Sequence, residues 1–497
     1  MTVTTGEIIR PDTGGRVRSR LVLVGTACGL AAPFVLVLAA VASRGHVLPW
    51  QPHLLDLEVY RAGGHAVLTS APLYGALAGT PLPFTYPPAA AVLFVPLSVL
   101  PPVLAQLLVL VLDSAVVAGL WLTLASVTRL PVLRAAAATP ARLATLTVLT
   151  CGLVEPVRAT LDFGQVNLAL MALVLLDALV VPRGHRWRGA ATGLAAAIKL
   201  TPALFVVLLL VTGQRRAFRT ALATSGGVTL AGLVLLPRES VKFWFGYVLD
   251  TGRAGSPGYL SNQSIVGAVT RLAGPGVTPL GIGVLLSVAV AGLAMLVARR
   301  WHRLGQPLLA VGLCAIGTLL ASPITWTHHY VWVLPVVVAA IPLARAAPWL
   351  LAVVLAWGAV VATTPFWLLP DSHSVPGYLL GTSPVLLGLA VLAAAAVSGP
   401  GRRSAGPGRR SAGGLGSGQR QRVGAAGDQL AHPVGLLVHD QHDRVPVGRY
   451  GHRHLQVGHD DHEVADVDEV GGGTVELDRA AAGLAGDRVG LEPGPVG

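Results

Sequence analysis

Long apolar segments recur along most of this chain, and they restrict it to one class of fold. Crossing the hydrocarbon core of a bilayer takes about 20 apolar residues, and ten stretches approach or exceed that length. They are 21–42, 102–127, 143–158, 165–181, 217–236, 277–298, 306–321, 329–343, 347–364 and 376–397. Two further apolar stretches, 87–100 and 188–211, are harder to assign. The pattern predicts an all-α polytopic membrane protein with about 10–13 membrane helices, including short re-entrant ones.

Charge and cysteine usage agree with that class. Only 12% of the residues are charged, whereas soluble domains average roughly 25%. Cys28, Cys151 and Cys314 all lie in apolar segments, which predicts small buried residues rather than a disulfide framework. Because no small-residue cleavage site follows residues 21–42, that segment is predicted to be a retained first helix.

The basic residues indicate orientation rather than nucleic-acid binding. The net charge is +12, but the arginines cluster in short loops between apolar segments, as they do in cytoplasmic loops. The clusters are 16–20, 129–142, 183–188, 215–219, 299–303, 345 and 402–403. If all are cytoplasmic, 86–127 must hold a short re-entrant helix before its full span, and the Pro87-Pro88 and Pro101-Pro102 pairs indicate where the breaks fall. Residues 188–211 must likewise enter and return near residues 199–202. Such broken helices are tolerated only where they face protein or a watery cavity.

The two ends of the chain differ from the middle. Residues 1–20 are predicted to be a cytoplasmic segment. Residues 398–497 carry thirteen of the 24 acids, seven of the fifteen histidines and a single aromatic residue, a composition that cannot build a core. We predict a disordered cytoplasmic tail, and its bias also resembles a frameshifted C-terminus.

With this orientation, the remaining polar groups collect on the external face, which folding alone does not explain. Asp56 is prominent, because residues 1–397 contain only eleven acids and ionisable groups at membrane level tend to mark a pathway or a reaction. It could cap a helix starting near Leu57 or act as a general base. Asp56 and Glu58 together are a weak signal for a divalent cation. Lys199, one of only two lysines, could snorkel to an interface or contact a phosphate.

Other external polar groups also have two interpretations. Arg158 and Asp162 could form a helical pair, or belong to a sugar-binding cluster with Glu155, Gln165 and Asn167. His328 and His329 could line a site, or stand beside an interfacial aromatic belt of Trp326, Tyr330 and Trp332. Asn262 and Gln263 lie in the largest external loop, 237–275, where amides and aromatic residues suit carbohydrate recognition but also occur in any exposed loop.

Taken together, these segments resemble glycosyltransferase family 87, the polyprenyl-phosphate-mannose-dependent α-(1→2)-mannosyltransferases of actinobacteria. The resemblance covers about residues 20–395 by the order and spacing of its pieces. The pieces are 56–61, 72–74, 86–88, 164–167, 196–199 with Pro202, 262–264, and 322–323 with 328–330. It implies a GT-C membrane catalytic domain over 21–397, acting at the outer face of the plasma membrane. It also implies inverting transfer of mannose to a mannolipid or lipoglycan hydroxyl, with no metal and no cofactor.

The resemblance also implies roles for individual residues. Asp56 would be the catalytic base, and His328 or His329 would line the site. Lys199, with Arg158, would contact the donor phosphate. The substrate-binding residues would be Glu58, Tyr60, Arg61, Tyr86, Glu155, Asp162, Gln165, Asn167, Asn262 and Gln263.

Two other classes of protein remain to be distinguished. A secondary transporter would also have broken helices and intramembrane charge, but it should show a two-fold internal repeat with site residues near the midplane. No such repeat is visible, and the polar groups lie on one face. A membrane assembly protein without catalysis would not need Asp56 or Lys199. The sequence does not choose among phosphatidylinositol mannoside, lipomannan and arabinomannan acceptors.

Overall fold

The computed structural model of this protein describes residues 54–368 and 374–399. The predicted cytoplasmic segment 1–20, the predicted first helix 21–42 with Cys28, and nearly all of the predicted tail lie outside the described residues. The domain boundaries therefore stay predictions.

Every regular element in the described part of the chain is helical, which confirms the all-α prediction. The α-helices are α1 Leu55–Thr69, α2 Pro88–Val99, α3 Pro102–Thr128, α4 Pro131–Ala136, α5 Pro140–Leu153, α6 Glu155–Phe163, α7 Asn167–Leu175, α8 Ala190–Ile198, α9 Ala203–Val211, α10 Arg215–Leu235, α11 Pro237–Phe245, α12 Ile265–Ala273, α13 Val277–Arg303, α14 Pro307–Ala321, α15 Val333–Ala340, α16 Pro348–Thr363, α17 Val375–Gly381 and α18 Ser383–Val397. A π-helix, Leu176–Val180, extends α7, and the 3₁₀ segments are Tyr247–Leu249, Thr251–Ala254, Thr327–Trp332, Ile341–Leu343 and Pro365–Leu368.

Several of these helices have the length and composition of membrane spans. Within the described residues, α3, α10 and α13 are long and apolar enough to cross a bilayer. Two bent pairs raise the number to five if each counts as one span: α6 with α7 and its π extension, bent by 119°, and α17 with α18, bent by 63°. The predicted total of about 10–13 membrane helices stays a prediction.

Prolines set most of the helix breaks. The pair Pro101-Pro102 separates α2 from α3, as predicted, and Pro88 and Pro102 each start a helix, where the missing N–H is not needed. The predicted single span 143–158 is wrong. Val154 has an extended backbone between α5 and α6, and Pro156 in the first turn of α6 cannot donate the amide that a continuous helix would need there.

Packing divides into a large core and a smaller one beside the candidate site. The large core centres on α14, whose side chains are almost all buried, and contains Cys151 and Cys314, both buried with free thiols as predicted. The smaller core packs α1 against α2 through Tyr60 and Phe94, whose rings stack at 4.4 Å between centroids. This aromatic packing holds the start of α1 against the segment before α2.

Candidate functional site

A cavity of about 500 Å³ opens between the start of α1 and the loops that join the other helices. That volume suits a small-molecule site, since such pockets typically enclose about 300–1,000 Å³. Its wall is built from residues that are far apart in sequence but meet at helix ends. The lining segments are Asp56 and Val59, Leu82–Pro87, Phe163 with Gln165, Lys199–Thr201, residues of 243–261, and residues of 322–329.

Asp56 lies in the first turn of α1 and lines this cavity. The capping alternative is wrong, because the helix begins at Leu55 and its N-cap is Leu54, a left-handed residue without a side-chain cap. The Leu54 N–H donates to the backbone carbonyl of Asp162 at 2.7 Å. Burial raises the pKa of the Asp56 carboxyl, and a hydrogen bond from Gln165 and the charge of Lys199 oppose that rise. An acid in a first helical turn also gains from the helix dipole.

Gln165 is oriented toward Asp56 by two tyrosines. Its Oε1 accepts from the Tyr60 hydroxyl at 2.8 Å and from the Tyr86 hydroxyl at 3.1 Å. The two hydroxyls are themselves 2.8 Å apart. Since the carbonyl end of the amide is occupied, the NH₂ end is the one that remains for Asp56. Gln165 and Tyr86 line the cavity, while Tyr60 is fully buried behind them.

Lys199 enters the same cavity from the turn between α8 and α9, where the sequence predicted the re-entrant segment to reverse. Its Nζ lies 3.1 Å from Asn167 Oδ1 and 3.1 Å from His329 Nε2, and 5.3 Å from the centre of the Tyr86 ring. Burial lowers the pKa of this amine to about 8, and the charge of Asp56 opposes that fall. The partners of Nζ in the described residues are neutral, so a negative group in the cavity would find an available cation.

The two predicted histidines also line the cavity. His329 Nδ1 lies 3.2 Å from the Trp326 backbone nitrogen, and its Nε2 is the ring nitrogen that faces Lys199. His328 packs against Phe163, with 5.2 Å between ring centroids. Its Nε2 is buried and has no hydrogen-bond partner among the described residues. A bound hydroxyl or phosphate oxygen would satisfy that nitrogen.

Gly164 brings the Gln165 turn against the acid's helix. Its φ of 66° is left-handed, and a Cβ placed on it would lie 2.8 Å from the Cβ of Leu57. Only glycine combines this backbone with so close an approach. The residue beside Asp56 and the residue before Gln165 are therefore held in direct contact.

The structure places several predicted substrate-binding residues away from the cavity lining. Glu58 has a side chain that is 37% exposed and pairs with Arg61 at 3.7 Å. Arg61 also donates to the carbonyls of Leu97 and Leu100 at 2.8 and 2.9 Å. These are carbonyls at the end of α2, which lack helical partners. The contacts of Arg61 are therefore those of a helix C-terminal cap.

The side-chain amides of the large loop hydrogen-bond to backbone groups of the protein and do not line the cavity. Asn262 Nδ2 donates to the carbonyls of Pro257 and Pro323, and its Oδ1 accepts from the Thr325 N–H at 2.8 Å. Gln263 Nε2 donates to the Leu260 and Gly381 carbonyls at 2.7 and 2.8 Å. Both side chains are almost fully buried, and they join this loop to the segment that carries the histidines.

The predicted sugar-binding cluster separates into two groups. Gln165 and Asn167 reach the Asp56–Lys199 region, as described above. Glu155 is buried and hydrogen-bonds the Thr327 side chain, while Arg158 and Asp162 do not line the cavity. Their predicted roles in binding substrate gain no support from this arrangement.

Sequence reasoning missed Arg253, which lines the cavity together with Tyr74 and Tyr247. A signal was present, because loop 237–275 carries four basic residues on the side where the positive-inside rule expects few. No group of three or more His, Cys, Asp or Glu side chains is placed to hold a metal ion in the parts of the chain that the structure describes.

Comparison with known proteins gives a consistent result. A family model described as Glycosyltransferase family 87 matches residues 84–323. That match begins after Asp56 and ends before His328, so it does not include the whole cavity lining. No solved structure matches the chain.

Three curated relatives illustrate the similarity. A polyprenol-phosphate-mannose-dependent alpha-(1-2)-phosphatidylinositol mannoside mannosyltransferase of Mycolicibacterium smegmatis is 36% identical over 373 residues, which is 69% of this chain and 83% of the relative. The protein of the same name from Mycobacterium tuberculosis is 35% identical over 410 residues, 78% and 93% of the two chains. A Mycobacterium tuberculosis phosphatidylinositol pentamannoside mannosyltransferase is 35% identical over 350 residues, 67% and 77%.

Proposed function

Because this chain belongs to glycosyltransferase family 87, we propose that it transfers mannose from polyprenol-phosphate-mannose to a hydroxyl of a phosphatidylinositol mannoside. The chain is an α-(1-2)-mannosyltransferase by its similarity to the mycobacterial enzymes. The relatives are glycosyltransferases, which favours this function over a transporter or an assembly protein. The all-helical architecture agrees with the GT-C fold expected of the family.

The residue-level proposal rests on the placement of an acid and an amine on one cavity. Asp56 and Lys199 lie on the same cavity and influence each other's charge. Gln165 holds the acid on one side, and Asn167 with His329 holds the amine on the other. A base and a cation in one cavity are what glycosyl transfer from a phosphate leaving group requires.

Asp56 is proposed to act as the general base in a single displacement. The acceptor hydroxyl oxygen attacks the anomeric carbon of the donor mannose, and its proton passes to the Asp56 carboxylate. The bond between the anomeric carbon and the phosphate oxygen breaks, and its electron pair leaves with the phosphodiester. One displacement inverts the anomeric centre, by the logic of inverting glycosidases. Asp56 then returns the proton to solvent through the open cavity.

Lys199 is proposed to bind the phosphate that leaves. Its charge would stabilise the negative charge that grows on the phosphate oxygens during bond cleavage. The free Nε2 of His328 is suited to donate or accept a further hydrogen bond from the donor or the acceptor. No metal is assigned a step, and we expect transfer to continue in EDTA.

The outer face of the plasma membrane is the proposed location. Along the sequence, the basic loops predicted to be cytoplasmic alternate with the segments that line the cavity, so that loop and segment stand at opposite ends of the connecting helices. The positive-inside rule then supports an external opening. A cysteine introduced in the cavity wall, at exposed Leu82, should react with a membrane-impermeant maleimide in intact cells.

The proposal is tested with the purified full chain in proteoliposomes, given polyprenyl-phosphate-mannose and a panel of mannolipid acceptors. Asp56→Asn should lower kcat at least about a hundredfold, the lower range for general acid–base catalysis. Glu58→Gln, which removes an acid two residues away but outside the cavity, is the matched control. Retention of transfer by Asp56→Asn would remove the general base from the mechanism. Failure of the wild-type chain with every acceptor would overturn the proposed function.

A further inference from the structure

Arg253 provides a second cation on the cavity that Asp56 and Lys199 line. It lies in the 3₁₀ segment Thr251–Ala254 and lines the cavity. Its Nη2 donates to the Tyr74 carbonyl at 3.0 Å. Its guanidinium carbon stands 4.3 Å from the centre of the Tyr247 ring, within the range of a cation–π contact. The side chain is therefore held in place by an aromatic surface and one backbone bond.

The charge of Arg253 is not neutralised by the acids around it. No carboxylate of the described residues is in ion-pair contact with it. Asp250 lines the same cavity but is an exposed residue. Glu239, which approaches Tyr74, is already paired with Lys242 at 2.7 Å and accepts from the Leu73 N–H.

The donors that remain on Arg253 suit a phosphate. The Nε is buried and has no hydrogen-bond partner among the described residues, and a buried donor left unpaired costs roughly 1–3 kcal/mol. A guanidinium presents its N–H groups as a planar fork that matches two phosphate oxygens. Tyr74 packs against Tyr247 at 5.2 Å and stacks on Phe243 at 5.6 Å between centroids, so neighbouring rings support the surface under the fork.

We propose that Arg253, on the surface formed by Tyr74 and Tyr247, is a second anion subsite that binds the phosphodiester of the acceptor. This inference rests on the proposed function, which already assigns the donor phosphate to Lys199 beside the base. An acceptor built on phosphatidylinositol carries a phosphodiester of its own, separate from the reacting mannose. Two cations on one cavity then correspond to the two phosphodiesters that must be present together.

The test compares two water-soluble acceptors that differ only in the phosphate. One is the deacylated glycerophosphoinositol mannoside, and the other is the same inositol mannoside without the phosphodiester. For the purified full chain, the quantity measured is the ratio of kcat/KM for the first acceptor to kcat/KM for the second. Arg253→Gln should lower this ratio at least about tenfold, the loss typical of a hydrogen bond to a charged group, and Arg253→Lys should restore part of it. Arg238→Gln makes the same change at an exposed arginine that does not line the cavity and should leave the ratio unchanged.

Each other outcome counts against the inference. A ratio unaffected by Arg253→Gln, or a wild-type ratio of one, would show that Arg253 does not read the acceptor phosphate. A rise in donor KM that is equal for both acceptors would assign Arg253 to the donor instead. Equal loss of activity with both acceptors, without recovery in Arg253→Lys, would indicate a structural role. If the wild-type chain transfers mannose to neither acceptor, the proposed function fails and the inference fails with it.

Discussion

The Tyr60 hydroxyl donates to Gln165 Oε1 at 2.8 Å, and this bond, together with the one from Tyr86, directs the NH₂ end of the amide toward Asp56. Tyr60 is fully buried, and its ring stacks on Phe94. A residue that does not line the cavity therefore orients one that does. Because the Gln165 hydrogen bond favours the charged form of the carboxyl, the protonation of Asp56 depends on this buried contact.

Tyr60→Phe tests that dependence while keeping the aromatic ring. We expect kcat/KM to fall by about three- to tenfold, the cost of one neutral hydrogen bond. The acidic limb of the pH profile should also move to higher pH, because a less firmly held Gln165 opposes the rise in the pKa of Asp56 less strongly. The measurement is kcat/KM against pH. Tyr378→Phe, which removes a hydroxyl bonded to Ala268 outside the cavity, should leave the profile in place, and an unmoved acidic limb in Tyr60→Phe would contradict the positioning role.

The wild-type pH profile should be bell-shaped. Burial raises the pKa of Asp56 above the ordinary carboxyl value of about 3.9. As the pH falls through that raised pKa, the base becomes protonated and transfer is lost. Burial lowers the pKa of Lys199 to about 8, so the cation is present below that pH and is lost as the pH rises through it. Measured kcat/KM should therefore fall on both sides of a neutral optimum. Full activity well above pH 8 would argue against Lys199 as the phosphate-binding cation.

Lys199→Met is expected to weaken binding of the donor more than binding of the acceptor. Loss of a charge-assisted hydrogen bond should raise the donor KM by about tenfold or more. The same substitution removes the positive charge that opposes the raised pKa of Asp56, so the acidic limb should move to higher pH. Lys199→Arg, which keeps its charge at every pH in the range, should lose the alkaline limb. Lys242→Met serves as the lysine control, and an unchanged donor KM in Lys199→Met would exclude the phosphate role.

The breaks in the helices and several site residues could be predicted from the sequence. Proline lacks the N–H that a helix interior needs, so Pro101-Pro102 indicated the break before α3 without knowledge of the fold. Asp56 and Lys199 were indicated by rarity, because a charge in an apolar chain needs a reason to be there. The structure brings both onto one cavity, although they are 143 positions apart (199 − 56).

Other parts of the site could not be predicted from residue types. Asn262 and Gln263 have the chemistry of sugar-binding amides, but whether an amide binds a ligand or its own backbone depends on which carbonyls the fold brings near. Here the Pro323 and Gly381 carbonyls come from distant segments and occupy them. Arg253 is the opposite case, because its residue type and position in a loop did not by themselves indicate a site. Only the fold shows that Tyr247 lies beneath its guanidinium.

Gly164 offers a test of how closely the Gln165 turn must approach α1. In Gly164→Ala the new Cβ would lie 2.8 Å from the Cβ of Leu57. The alanine would also have to adopt the left-handed backbone of Gly164, which costs roughly 1–2 kcal/mol. Relief of this contact must displace either the helix that carries Asp56 or the turn that carries Gln165. We expect a lower midpoint of thermal inactivation and a lower kcat in the fraction that stays folded. Gly119→Ala is the control, since a Cβ at that position in α3 meets no atom within 4 Å, and it should lower neither quantity. Wild-type kcat in folded Gly164→Ala would show that the turn and α1 can separate without affecting transfer.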